Sequence, residues 1–585
     1  LGAKIVVRNS NGNFQFQEQQ ISRGYMSSVD PVVYFGLGEE SELSSVEVLW
    51  PNGSLTKIDY PEINKRHLLN QSDAKKIQII DFPLVDQKID LSYKEVADQY
   101  NINYFHKEKN VQDFFKQRLL PHKLSQNGPC LAVGDINGDG TEDFIVGSSS
   151  VYSPVVYFQN SQSTFDSKNL FTAEEDKRYE VESMTLFDAD QDGDLDLYLV
   201  SGGNQFEAGS ELYNDRLLIN DGYGNFVNDL KRIPNLNSNG CVVRPIDYDS
   251  DGDIDLFIGG HNKPGAFPLA DKSYLLNNNN GNFEDFTNAV LPDLDQFGLV
   301  TDAQWADLNK DRREDLILVG EYSPVAIFLN LNSGFQRLSS KTLDEAMGLW
   351  RCIEVVDFDD DGDLDLLLGN LGKNNMLSVS PETPLIISTR DLDKNGSVDP
   401  LMFNSQQNKN GEWDMFPVQF WDNLTQQSPL FRKEFNSYHA FSKANMNYYQ
   451  EKEYLIKDSL LSAKHDTSKW LENLGSNTFK LNTLPDPLQL GPINDFLVIE
   501  TAQDQSVFVI GNDFGGPPFE GNFDAFQGAI INTNTMGNKK VLEAQDSGFH
   551  VFGDAREISS IRMQNGKTLI LVTQNQSRLL AFEKK

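Results

Sequence analysis

Nine-residue segments of the form D-x-[DN]-x-[DN]-G-x-x-D recur along this chain, and no other feature limits its fold as strongly. Four copies are regular: "DINGDGTED" from Asp135, "DADQDGDLD" from Asp188, "DYDSDGDID" from Asp247 and "DFDDDGDLD" from Asp357. Two are looser. "DLNKDRRED" from Asp307 has Arg312 in place of the glycine, and "DLDKNGSVD" from Asp391 has Asn395 at its fifth position. Consecutive copies start 53, 59, 60, 50 and 34 residues apart. Most follow an apolar run such as "CVVRPI" or "CIEVV" and precede another such as "LFIGG" or "LLLGN". An acidic segment between two short apolar runs reads as the turn of a hairpin.

A second hairpin often follows, as in "SYLLNNNNGNFEDFT", where "NNNNGN" marks the turn. Four strands per repeat of this length indicate a β-propeller blade. The expected fold is therefore all-β, a seven- or eight-bladed propeller over residues 128–585. Eight hairpin units are counted if "INDFLVIETAQDQSVFVIGN" and "AREISSIRMQNGKTLILVTQN", which keep the two-strand shape without the acidic side chains, are included. The count falls to seven if the unit at Asp391 forms the outer half of the preceding blade.

The spacing has a coordination logic. Oxygens at positions 1, 3, 5 and 9, helped by a backbone carbonyl, wrap one hard cation at about 2.3–2.6 Å, and the glycine at position 6 allows the reversal that turns them inward. The candidate ligands are Asp135, Asn137, Asp139 and Asp143 in the first copy and Asp188, Asp190, Asp192 and Asp196 in the second. Asp247, Asp249, Asp251 and Asp255 form the third set, and Asp307, Asn309, Asp311 and Asp315 the fourth. Asp357, Asp359, Asp361 and Asp365 form the fifth, and Asp391, Asp393, Asn395 and Asp399 the sixth. Many flexible oxygen ligands suit Ca2+ better than Mg2+, and the lack of His and Cys argues against softer metals. Several structural Ca2+ ions are expected. A helical EF-hand-type loop is excluded because position 12, which would need a carboxylate, is Val146, Leu199, Ile258, Leu318, Leu368 or Met402.

The formal charge of −36 argues against a nucleic-acid partner, since no basic face is visible, and six bound Ca2+ would bring it to about −24. No apolar run approaches the length needed to cross a bilayer. Cys130, Cys241 and Cys352 each lie five or six residues before an acidic segment, in matching places of separate repeats, and are expected to be free thiols acting as small apolar side chains.

These acidic hairpins resemble the FG-GAP/VCBS repeats found in integrin α-chain propellers, and the resemblance covers roughly residues 128–585. Residues 1–75, with "YFGLG" at Tyr34–Gly38 and "VEVLWPNGSLTKI" at Val46–Ile58, are similar to the ASPIC/UnbV domain, and their short alternating strands suggest a small β-sandwich. The chain opens on "LGAKIVV", which reads as the middle of a strand and leads us to expect a fragment. Residues 76–127 read as connecting helix and coil that brace the first blade. Residues of about 405–490, where Phe431, Phe435, Tyr438 and Phe441 recur at helical spacing, read as a helical insertion, either a partner-binding arm or a local cap whose aromatics face the propeller. The resemblance implies a bacterial protein of the Bacteroidetes surface type, secreted or on the extracellular face of the outer membrane, with SusC/SusD-like proteins as potential companions.

Catalytic signatures are missing from the sequence. The seven histidines show no metal spacing, and no nucleophile elbow, Walker loop or dinucleotide fingerprint is present. Softer candidates are "GNDFGGPPFEGNFDAF" (residues 511–526), either a ligand loop or a tight connection, and His122 and His261, either at the propeller mouth or satisfied structural residues. The first expectation is a non-enzymatic Ca2+-stabilised scaffold that presents a propeller face to a protein or glycan partner. The alternative is a Ca2+-dependent polysaccharide lyase or hydrolase on the same scaffold.

Overall fold

Apolar runs that follow the acidic segments become strands buried along their whole length: Asp196–Ser201, Asp255–Gly260 and Asp315–Ser323 contain only buried residues. Such a strand needs apolar neighbours on both faces, which is why these runs are continuous rather than alternating. The computed structural model describes residues 2–585 apart from 11–12, 23, 25, 39–41, 77–90, 332, 409, 501–504 and 534–538. It divides into two units, Leu1–Asp90 and Leu91–Lys585.

In the larger unit seven antiparallel sheets are blades of one propeller, six of four strands and the fourth with the two-residue strand Gly348–Leu349 added to its four. Their inner strands are Leu131–Gly134, Val181–Phe187, Gly240–Ile246, Leu299–Ala306, Cys352–Val356, Ile493–Glu500 and Asp554–Arg562. Each touches the next, and the seventh touches the first, so the ring is closed. One apolar cluster fills each of the seven gaps between blades. The second strand of blade three shows how. Phe257 points into the gap with blade four, while Leu256 and Ile258 on either side of it point into the gap with blade two. The period of two thus alternates between neighbouring blades instead of between core and water.

Closure is made by strand exchange along the chain. The seventh blade takes three strands from the C-terminus, and its outer strand is Tyr93–Glu95 from the start of the unit. The segment expected to brace the first blade therefore completes the seventh, and Val96, Tyr100 and Ile102 pack in the cluster between the two. Residues 77–90 of that connection lie outside the described residues.

The copy at Asp391 belongs to no blade. Its hairpin, Leu385–Ser388 with Met402–Gln407, pairs with Trp413–Pro417 and Leu460–Ala463 in a separate sheet. That sheet is inserted between the second and third strands of blade five, whose outer half is Lys469–Asn473 with Phe479–Thr483. The insertion thus starts before residue 405 and ends before residue 469, because an acidic turn marks any hairpin of this type, not only a blade's. Four short helices between Trp421 and Glu451 complete it. Phe431 and Phe435 are buried with Tyr449, Phe403 and Leu424 in a core of the insertion's own, whereas Tyr438 is exposed. The aromatics serve this local core.

The smaller unit is one five-stranded antiparallel sheet over Lys4–Lys76 among the described residues, where two packed sheets were expected. Alternation along a strand reports one buried face and does not say what covers it. Gln15 and Gln17, on one face of an edge strand, donate to the Gly36 and Tyr34 carbonyls and hold the "YFGLG" segment without a ladder.

Candidate functional site

All six acidic loops wind around the carboxylate at position 1. The backbone N–H at position 6 donates to its Oδ2, from Gly140 to Asp135 (2.8 Å), Gly193 to Asp188 (3.1 Å), Gly252 to Asp247 (3.1 Å), Gly362 to Asp357 (2.9 Å) and Gly396 to Asp391 (2.6 Å). In the fourth loop Arg312 donates to Asp307 over 2.8 Å. Position 6 sits in the left-handed region throughout, at φ between +83° and +96° for the glycines and +69° for Arg312. A side chain there is strained, which explains the glycine pattern.

Position 9 has a different environment. Asp143, Asp196, Asp255, Asp315, Asp365 and Asp399 are all fully buried. In the five blade loops Oδ1 accepts the N–H of a third-strand residue, Gln159, Asn220, Asn278, Asn330 or Asn473, at 2.7–2.9 Å. The carboxyl therefore ties the acidic turn to the second hairpin. Burial pushes Asp143, Asp255 and Asp365 up to about 7 and Asp196, Asp315 and Asp399 up to about 6, partly offset by these N–H donors. A nearby cation would reverse that shift.

Four of the six loops bring three carboxylates within 4.8 Å of one another. Positions 1, 3 and 9 converge at Asp188, Asp190 and Asp196 and at Asp391, Asp393 and Asp399. Positions 1, 3 and 5 converge at Asp247, Asp249 and Asp251 and at Asp357, Asp359 and Asp361. Several oxygens there are buried and accept no hydrogen bond: Asp188 Oδ1, Asp190 Oδ1, Asp359 Oδ1 and Asp393 Oδ1. An all-oxygen cluster with orphaned, inward-facing acceptors fits a hard cation such as Ca2+. The first and fourth loops, with Asn137 and Asn309 at position 3, form no such triple of carboxylates. In the fourth, Arg313 Nη2 lies 2.7 Å from Asp311 Oδ2, so a guanidinium already neutralises part of the loop.

One group of residues at these tips escaped the sequence reading. The Asn220 amide donates to the Ile136 carbonyl, in the acidic loop of the preceding blade, over 2.8 Å. Asn278 does the same to Ala189 (2.9 Å), Asn330 to Tyr248 (2.8 Å) and Asn473 to Leu308 (3.2 Å). Gln159 reaches from blade one to Arg562 of blade seven (3.2 Å). Each of these amides staples one blade to the loop before it. The signal lies in the sequence as an amide five or six residues before a phenylalanine, in "QNSQSTF", "NDGYGNF", "NNNGNF", "NLNSGF" and "NLGSNTF".

At the opposite ends of the inner strands the blades surround a cavity of about 210 Å3. His122, His261, Asp513 and Gly515 all line it, so the two histidines and the glycine-rich loop singled out from sequence meet at the mouth of the channel. His122 Nε2 contacts Glu321 Oε1 at 2.7 Å and its Nδ1 contacts the Lys123 carbonyl at 2.8 Å. Both ring nitrogens thus face acceptors, and the Glu321 carboxylate outweighs burial to raise His122 to about 9. Arg351 Nη2 lies 3.0 Å from Asp513. The three cysteines are free thiols; Cys130 and Cys352 are buried and Cys241 half-buried.

Residues 1–76 match the family described as ASPIC and UnbV. Residues 135–199, 247–318 and 307–368 match the FG-GAP-like repeat. Mouse cartilage acidic protein 1 is 34% identical over 80 residues, a match that spans 13% of this chain and 12% of that protein. Among solved structures, Sqt1 of Saccharomyces cerevisiae aligns at 9% identity and a TM-score of 0.36, covering 79% of this chain and 96% of that one. YCF48, solved bound to a D1 peptide, aligns at 9% identity and 0.33, covering 80% and 94%. The Dos1 propeller aligns at 8% identity and 0.31, covering 79% and 93%.

Proposed function

We propose that this chain, with its ASPIC/UnbV segment and FG-GAP-like repeat propeller, is a non-enzymatic scaffold braced by Ca2+ that presents one propeller face to a protein or glycan partner outside the cell. The carrying observation is the set of four carboxylate triples at hairpin tips, three of them with buried oxygens that no donor satisfies. Carboxylates held this close are tolerable when a divalent ion sits among them. The ions would act on stability, since the tips at Asp188 and Asp247 are each tied to their own second hairpin and stapled to the next blade.

Association with the bacterial outer-membrane surface and with SusC/SusD-like proteins belongs to this reading. Among the described residues no helix is long and apolar enough to cross a membrane. The test is co-purification of the chain from its native envelope together with glycan-array binding, each with and without chelator. Calcium-dependent capture of a defined partner supports the scaffold. Turnover of an acidic polysaccharide, abolished by changing one carboxylate at the channel mouth, would replace it with the lyase or hydrolase reading.

A further inference from the structure

The channel mouth is built from irregularities repeated around the ring. In blades two, three, four and six the inner strand bulges once near its start, placing Glu182, Cys241, Thr301 and Asn494 at the cavity. In blade seven the same irregularity spans Arg556 and Glu557. A bulge re-aims a side chain that regular pairing would send elsewhere. Five blades therefore share one device that points functional groups inward.

Charges at this mouth do not balance internally. Arg244 pairs with Asp302 (2.6 Å), Arg351 with Asp513 (3.0 Å), Arg556 with Asp554 (2.6 Å) and His122 with Glu321 (2.7 Å). Lys123 also lines the cavity and donates to Gln126 over 2.7 Å, and against it three lining carboxylates remain without an ion pair among the described residues: Glu182, Asp495 and Glu557. Asp495 and Glu557 accept only backbone N–H groups, from Phe496, Ile558 and Leu131. Glu321, 7% exposed, keeps its Oε2 without a partner, as His261, 8% exposed, keeps its Nε2. Glu182 Oε1 is likewise buried without a donor. Burial pushes Glu182 up to about 8 and Glu557 up to about 7, only partly opposed by Arg556 and Arg244, and a cation bound beside them would return both to the charged form.

A second, smaller hollow of about 70 Å3 opens from the same rim and shares His122, Glu321, Arg351 and Asp513. Its other walls are mainly apolar, with Tyr322, Leu349, Met376, Leu377, Met402 and Phe523 beside Asn375 and Glu520. A dry cavity of about 150 Å3 holds a molecule the size of benzene, so the larger chamber has room for a small ligand.

We propose that the channel mouth binds a small organic cation, a primary ammonium on a short aliphatic arm, with the ammonium in the carboxylate-lined cavity and the arm in the smaller hollow. Surplus acceptors select a donor-only head, and an apolar annexe on the same rim selects the arm. The inference rests on the propeller being a binding module and gives that module a ligand class.

Isothermal titration of the full, calcium-loaded chain with n-butylamine tests it, with 1-butanol and pentanoate as the neutral and anionic counterparts. The amine is expected to bind one to one and the two counterparts at least about tenfold more weakly, about 1.4 kcal/mol. Glu182→Gln and Glu321→Gln should each weaken the amine by a similar factor. Met376→Trp changes a side chain that is 62% exposed, leaves the core alone and should block the hollow. Equal affinity for the three compounds, or binding that survives both Glu182→Gln and Met376→Trp, overturns the proposal. So does a silent titration on protein whose melting still responds to chelator. Loss of that chelator response instead overturns the braced scaffold and leaves the amine titration readable.

Discussion

Chelation should cost the propeller about 10 °C of melting temperature. A ligand that binds only the folded state at a free concentration of 100 Kd stabilises it by about 2.7 kcal/mol. Four loops carry a converged carboxylate triple, so four filled sites contribute about 11 kcal/mol. The unit Leu91–Lys585 unfolds with an entropy of about 2.1 cal/mol/K per residue, about 1 kcal/mol/K for its ~500 residues, which turns that loss into about 10 °C. Differential scanning calorimetry in CaCl2, after EDTA, and after restoring either CaCl2 or MgCl2 measures it. Asp249→Asn should lower the melting temperature by 2–3 °C, about one site's share, in calcium and leave it unchanged in EDTA. Asp311→Asn should do little in either, because Arg313 already lies against that carboxylate. A chelator shift below about 2 °C, or full recovery with magnesium, refutes the reasoning.

Three further outcomes are expected. Arg312→Gly relieves a left-handed backbone at φ +69° and should stabilise the protein by about 0.5–1 kcal/mol, checked by urea unfolding. Phe257→Ala, which empties part of the gap between blades three and four, should destabilise by about 3–5 kcal/mol in the same assay. The His122–Glu321 pair should give a pH window. His122, raised to about 9 from 6.5, contributes fully below pH 6.5 and fades as pH rises through 9; Glu321, held near 2 from 4.5 by the imidazolium despite its burial, contributes above pH 4.5 and fades as pH falls towards 2. Wild type should therefore exceed His122→Gln by about 3 kcal/mol between pH 4.5 and 6.5, and by little above pH 9. A difference that stays constant from pH 6 to 9.5 would contradict the pairing.

The hairpins and their acidic tips are legible in the sequence because both signals are local. Strand pairs such as Gly240–Ile246 with Asp255–Gly260 are joined by the very residues that carry the chemistry. What escaped is non-local. Tyr93–Glu95 pairs with Leu580–Lys584 across almost the whole unit, and no period along the chain announces such a partner. The inserted sheet was misplaced for the opposite reason. Its loop at Asp391 repeats the local signal so faithfully that only pairing of Asp365–Gly369 with Lys469–Asn473, about a hundred residues on, shows which hairpin is the blade's. Asn220, Asn278, Asn330 and Asn473 read as ordinary turn residues, since a staple to another blade's carbonyl marks its own segment only by the amide and its distance of five or six residues from a phenylalanine.

Direction along the inner strands separates the two chemistries. In blades one to five the inner strand enters at the channel mouth and leaves into an acidic loop: blade two runs from Glu182 to Asp188 and blade four from Thr301 to Asp307, six residues or about 20 Å at a rise of about 3.3 Å. A cation among the aspartates of a tip is thus beyond contact with anything bound at the mouth. Its influence has to pass through the blade, by way of the position-9 carboxyl that fixes the second hairpin and the amide that hooks the neighbouring loop. Stiffness supplied at one end leaves the other to vary, and the mouth is where the irregular segments gather: residues 121–127, 261–271 and 513–523 all come from connections between strands. The division follows from the order of elements, since a turn between the first two strands of a blade and the entry to its first strand lie at opposite ends of the ring.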